Sequence, residues 1–86
     1  MRAKLTGHIL DVDGVEYQCV RFDGKEYITI QQLAALSHYK DKTIRRKIKS
    51  GVIPCMRRGD NNRLFVCVDD LFKMIEEGII VKYISA

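Results

Sequence analysis

Nine of the fifteen Lys and Arg side chains in this 86-residue chain fall between Lys40 and Arg63. The segment reads KDKTIRRKIKSGVIPCMRRGDNNR, and with only Asp41 and Asp60 opposing the nine cations its local charge is +7. The remaining residues hold six basic and nine acidic side chains, a charge of −3. The overall +4 therefore belongs to a dipolar molecule rather than an evenly basic one. Cations gathered in this way make a surface that meets phosphates with one face. An Arg in such a cluster can also bond guanine O6 and N7 with two parallel hydrogen bonds.

Other chemistries find no support in the residues. There is no Gly-rich phosphate loop, no H-E-x-x-H and no nucleophile elbow. Asp69-Asp70 could be a carboxylate pair, but a helix start with acid in its first turn explains it better. His8 and His38 are far apart in the chain, and neither lies in a motif that would supply an orienting partner. Cys19, Cys55 and Cys67 form no C-x-x-C and are odd in number, so they read as free thiols packed in apolar runs, not as disulfide or zinc ligands. An enzyme, a metal site and a cofactor are not expected.

Eighty-six residues, 47% hydrophobic and 30% charged, are expected to form one folded domain, residues 1–86, with a small core. No apolar run reaches the length of a membrane span. The amino terminus carries Asp11 and Asp13 where a secretory signal needs an apolar core, so a cytoplasmic protein is expected, with no membrane partner.

The basic segment must be held by the elements around it. Residues 8–30 read as a three-stranded antiparallel meander: His8 to Val12, Val15 to Phe22 and Lys25 to Ile30, joined by two Asp-Gly turns. The alternation changes phase at Cys19-Val20, which predicts a bulge or bend there. Thr29 and Gln32 form a T-x-x-Q capping box, opening a helix that ends near Leu36 or Ser37 and buries Ile30, Leu33 and Ala34. A turn over 37–40 leads to a second helix, Asp41 to Ser50, closed by Gly51 with Pro54 beyond it. At 100° per residue Ile44 and Ile48 face inward; Lys42, Arg45, Arg46 and Lys49 face outward, with Thr43 at the margin. Two short helices around a tight turn, the second cationic, spell helix-turn-helix. A hairpin over 53–68 follows, with strands Ile53 to Arg57 and Arg63 to Val68 about a Gly59-Asp60-Asn61-Asn62 tip. The second strand is expected to turn Leu64, Val66 and Val68 one way and Phe65 and Cys67 the other. A third helix over 70–77 is expected to use Asp69 or Asp70 as N-cap, with Leu71, Phe72 and Ile75 inward and Gly78 at its end. Ile79 to Ile84 would add a strand or pack on the meander. The expected fold is α+β: a winged helix-turn-helix of three short helices and a β-hairpin wing, preceded by a small antiparallel meander.

Thr43-Ile44-Arg45-Arg46, the Gly51-Val52-Ile53-Pro54 exit, Gly59 and Asp70-Leu71, with Ala34 and Leu36 in the first helix, give Tyr27 to Ile75 its family likeness. This stretch resembles the excisionase-like, MerR-superfamily winged helix-turn-helix domains. The chain departs from that pattern at His38, where a turn glycine is common, and at Lys47, where a bulky apolar residue is common. The meander before residue 27 is outside it.

Either route leads to double-stranded DNA. A helix about 10–12 Å across fits the major groove. There Arg45 and Arg46 are candidates for base reading, with Thr43 beside them, and Lys40, Lys42 and Lys49 for phosphates. Arg57, Arg58 and Arg63, with Asn61 and Asn62, would carry the wing to the backbone or the adjacent minor groove. Six to eight phosphate contacts imply a log–log salt slope of roughly −5 to −7. The resemblance implies an excisionase-like architectural factor of a phage or mobile element, partnered by a recombinase or by itself through cooperative binding. A small transcription regulator with the same contacts remains open, without a small-molecule ligand. So does a protein-interaction module built on the meander and tail.

Overall fold

The computed structural model describes residues 2–80 of the chain. In order these form β1 (Ala3–Thr6), β2 (Ile9–Val12), β3 (Val15–Gln18), β4 (Val20–Phe22), β5 (Lys25–Thr29), α1 (Ile30–Ser37), α2 (Asp41–Lys49), β6 (Met56–Arg58), β7 (Arg63–Cys67) and α3 (Val68–Glu76). The strands make two antiparallel sheets, one ordered β1-β2-β3 and the other β4-β5-β7-β6. The α+β winged helix-turn-helix with a preceding meander is therefore present.

Its strands are shared out differently from the expectation. The meander gains β1 at its front, paired Thr6 to Ile9 through Gly7, whose φ of 59° permits the tight turn. It loses Lys25–Thr29 to the second sheet, where β5 pairs with β4 and β7. The expected bulge or bend at Cys19-Val20 is the crossing from one sheet to the other. Cys19 is buried, and its N–H donates to the His8 carbonyl at 2.8 Å. Asp13-Gly14 and Asp23-Gly24 all have positive φ, as the expected hairpin turns require.

One apolar cluster joins the two sheets to the helices. Leu10 and Val12 enter it from the first sheet; Ile28, Leu64 and Val66 come from the second; Leu33, Leu36, Ile44 and Leu71 come from the three helices. Leu64, Phe65 and Val66 are all buried, so β7 is covered on both faces. The expected alternation holds, but neither side of it faces water. On the second face, Phe22 meets Phe65 edge-on at 5.1 Å and Tyr27 at 5.6 Å. β6 is Met56–Arg58 rather than Ile53 to Arg57, because Ile53 is committed to the core and Pro54 has no N–H for a ladder.

The helix starts follow the same logic. At Thr29 both capping-box bonds form, and the Gln32 amide also donates to the Gln18 carbonyl at 2.7 Å, tying the meander to α1. α2 ends one residue earlier than expected, with Ser50 as C-cap and Gly51 beyond it at φ 83°. α3 starts at Val68, not at Asp70. β7 runs straight into it, Cys67 is the N-cap with no side-chain bond, and Asp69 and Asp70 lie in the first turn, where they face the helix dipole. Its buried stripe is Val68, Leu71 and Met74, with Phe72 and Ile75 at the flank. Gly78 ends it as expected, and Ile79 and Ile80 bond back to the Met74 carbonyl. Beyond Ile80 the expected C-terminal strand lies outside the described residues.

Among the described residues, two polar side chains are buried in this framework. Ser37 has no exposure; its hydroxyl donates to the Leu33 carbonyl at 2.6 Å and accepts from the Tyr39 N–H at 3.3 Å. Glu26 is 6% exposed, with His8 Nδ1 2.6 Å from one carboxylate oxygen and Arg21 Nε donating to the other at 2.8 Å. His8 sits in the β1–β2 turn and Glu26 on β5, so this trio bridges the two sheets.

Ser37→Ala leaves the Tyr39 amide without its partner, and a loss of about 1–3 kcal/mol in urea unfolding is expected. The bond from His8, and then that from Arg21, holds the Glu26 carboxyl below its ordinary 4.5 against the opposing effect of burial. The unfolded chain therefore binds a proton that the folded one refuses. The stability this carboxylate contributes is present above pH 4.5 and is lost as pH falls through its lower folded value. Glu26→Gln should lower the urea midpoint at pH 7, and the gap to wild type should close as the pH is taken below 4.5.

Candidate nucleic-acid interface

The turn that sets α2 against α1 is three residues long and rests on backbone geometry. His38 caps α1 in the left-handed region, φ 62° and ψ 13°, and its N–H donates to the Ala34 carbonyl at 2.9 Å. This is the conformation a glycine would take, adopted here by a residue that tolerates it. Ser37 pins the turn from inside. Tyr39 packs on the core, and the Lys47 ammonium lies 5.7 Å from the centre of its ring. Lys47, in the position where a bulky apolar residue was expected, thus lays its stem on the protein and contributes little to the outward face.

Ile44 is the only residue of α2 that is fully buried, with Ile48 beside it at the margin of the core. With these two facing inward, Lys42, Arg45, Arg46 and Lys49 are all exposed on the opposite side, and Thr43 is half-buried at its edge. Lys40 is the N-cap and is exposed; no side chain caps the first turn of α2. The first-turn amides, directed out of the helix beside a lysine, are suited to an anion.

The cations on this face are not equivalent. Arg45 Nε donates to Asp41 Oδ2 at 2.7 Å, one turn earlier on the same helix. Both side chains are about half exposed, so the pair is weak and can be exchanged for another partner. Arg46, Lys42 and Lys49 make no ion pair or hydrogen bond among the described residues. Of the two arginines on this face, Arg46 is therefore the one whose side chain is without a partner among the described residues.

The wing divides its cations between two faces. Register pairs Arg57 with Leu64 and Arg58 with Arg63, so Arg57 lies on the side turned to the helices, and Arg58 and Arg63 on the other. At the tip Gly59 and Asn62 have positive φ, and the Asn62 N–H donates to the Gly59 carbonyl at 3.1 Å, folding four exposed residues into a compact turn. The side chains of Asn61, Asn62 and Arg63 are exposed there and make no hydrogen bond or ion pair among the described residues. Arg58 differs from its neighbours: its guanidinium stacks 4.4 Å from the centre of the Phe22 ring, with Nη1 3.3 Å from Asp23 Oδ2.

The sequence reading missed Asp41 as a partner, although the four-residue spacing to Arg45 on one helix face was a readable signal. It also missed Ser37 and the attachment of Arg58. These depend on the turn and on strands distant in the chain, and nothing local marks them. A hollow of about 780 Å³ between the first sheet and α3 is lined by Ala3, Phe72 and Ile75 among others; none of the basic-face residues borders it. Among the described residues no group of His, Cys, Asp or Glu could hold a metal ion, and no helix is long and apolar enough to cross a membrane.

A family described as "Helix-turn-helix domain" matches residues 27–79, well over half of the chain, from β5 to the end of α3. No curated protein matches the chain, and no solved structure does. The matched stretch begins within β5 and excludes β1 to β4.

Proposed function

This chain belongs to the helix-turn-helix domain family, and from that premise we propose that α2 enters the major groove while the wing holds the adjacent backbone, as in a small excisionase-like architectural factor. Sequence-specific DNA binding, without catalysis, is the activity of the domain. The observation that carries the detailed reading is the face of α2, where Lys42, Arg46 and Lys49 stand exposed and, among the described residues, unpaired, opposite a buried Ile44.

The roles divide by chemistry. Arg46 reads a guanine edge, with Arg45 joining it once Asp41 gives way and Thr43 contacting the groove margin. Lys40, Lys42 and Lys49 neutralise phosphates, Lys40 together with the open amides of the first turn. Arg57, Arg63, Asn61 and Asn62 hold the wing to the backbone or the minor groove. In the architectural role, copies bind repeated sites, bend the DNA and direct a recombinase. A promoter-binding regulator would use the same contacts on a single palindrome.

Sequencing the pool retained from a random DNA library at two salt concentrations tests this reading. An enriched short motif with a log–log salt slope of roughly −5 to −7 supports it, and repeated copies with a bend favour the architectural role over the palindromic one. Absence of both enrichment and salt-dependent retention sinks it. Arg46→Ala should lose about 1–3 kcal/mol at the selected site and relax specificity there, whereas Arg57→Ala should weaken all sequences alike and flatten the slope by about 0.9. Asp41→Asn should tighten DNA binding a few-fold, measured by titration, because it frees Arg45 and removes an anion from the groove. The same change should reduce folding stability by about 0.3–1 kcal/mol, through loss of an acid at a helix N-terminus.

A further inference from the structure

Phe22 and Arg58 belong to β4 and β6, the two opposite edges of the four-stranded sheet. Three interstrand spacings of about 4.8 Å would hold these edges roughly 14 Å apart on a flat sheet. The two side chains reach inward across that span, and the guanidinium carbon of Arg58 sits 4.4 Å from the Phe22 ring centre. Together they close over Phe65, which Phe22 meets at 5.1 Å. Asp23, in the β4–β5 turn, takes the Nη1 edge of the same guanidinium.

The position of Arg58 gives this contact its consequence. It is the last residue of β6, immediately before the Gly59–Asn62 tip, and opposite Arg63, where β7 begins. The ladder between β6 and β7 is three pairs long, a short base for a loop that must meet a surface. A cation stacked on an aromatic face and bonded edge-on to a carboxylate is fixed in two directions, which a lysine cannot reproduce. The Asp23 pair alone would do little, since its carboxylate is 86% exposed. The stacking on Phe22, itself held by Phe65 and Tyr27, gives the pair its fixed frame.

We propose that Arg58 is a positioning residue: held by Phe22 and Asp23, it fixes the angle of the wing for DNA and does not itself touch phosphate. The proposal rests on the wing's role in DNA binding for its functional half, and on the free protein alone for its structural half.

The test compares wild type with Phe22→Leu, Arg58→Ala and the double variant, using Arg57→Ala as a phosphate-contact control. Backbone ¹⁵N relaxation of the free proteins should show lower order at residues 59–62 in both single variants and no further fall in the double. Unchanged amide shifts of Ile28 and Val66 would verify the fold. Where Phe22→Leu does not fold, Asp23→Asn replaces it, with a smaller loss of order expected. On the selected duplex both single variants should bind about three- to ten-fold more weakly with the wild-type salt slope, whereas Arg57→Ala flattens the slope by about 0.9. Unaltered order at 59–62 in Arg58→Ala overturns the clamp, whether or not DNA is bound. A slope flattened by about 0.9 in Arg58→Ala, with Phe22→Leu binding as wild type, makes Arg58 a phosphate contact and overturns it equally. If wild type shows no salt-dependent binding, the DNA reading fails, and the relaxation data still decide the clamp.

Discussion

Ile28 and Val66 face each other across β5 and β7, and neither has any exposure to solvent. The three-pair ladder around them, Tyr27 to Cys67 through Thr29 to Phe65, ties the two ends of the helix-turn-helix and wing together. α1 springs from the end of β5 through the Thr29 cap, and α3 springs from the end of β7 without an intervening loop. α2 and the wing are the chain that runs between. Closing that long loop costs entropy before any contact rewards it, so the buried pair and the apolar cluster beneath it must repay it. The orientation of the cationic helix is thus secured at a distance from the cations themselves.

That arrangement lets the basic face remain open. α2 is committed to the core by one fully buried isoleucine and a second at the margin, leaving most of its circumference to polar side chains. Like charges on successive turns repel, and Asp41 relieves part of this by pairing with Arg45. The same carboxylate would oppose phosphate, so stability and binding make contrary demands on position 41. Arg58 is engaged within its own protein, stacked on the Phe22 ring and bonded to Asp23.

The first sheet stands outside the stretch that the family covers, yet it is joined to the rest by polar as well as apolar contacts. Glu26 is the centre of this joint, with one oxygen toward His8 of the first sheet and the other toward Arg21 of β4. Burying a carboxylate is unfavourable unless both oxygens are satisfied, and here two cationic or polarisable donors meet them. Gln32 makes a second joint, serving the α1 cap and the Gln18 carbonyl at once.

The sequence alone determined whatever depends on near neighbours in the chain. The T-x-x-Q cap, the Asp-Gly turns, the Gly51 exit and the outward stripe of α2 each follow from φ, ψ and periodicity within a few residues, and all are present in the structure. Tertiary structure decided which strands share a sheet, because alternation is the same whatever the partner. It made the phase change at Cys19 a passage between sheets, and it made β7 buried on both faces. The α3 start moved to Val68 because β7 feeds directly into the helix, with Cys67 as an N-cap that makes no side-chain bond. The candidate cations were legible as a group, since charge and spacing are written in the chain. Their separate conditions were not: Arg46 is free, Arg45 is paired and Arg58 is stacked because of residues that only folding brings beside them.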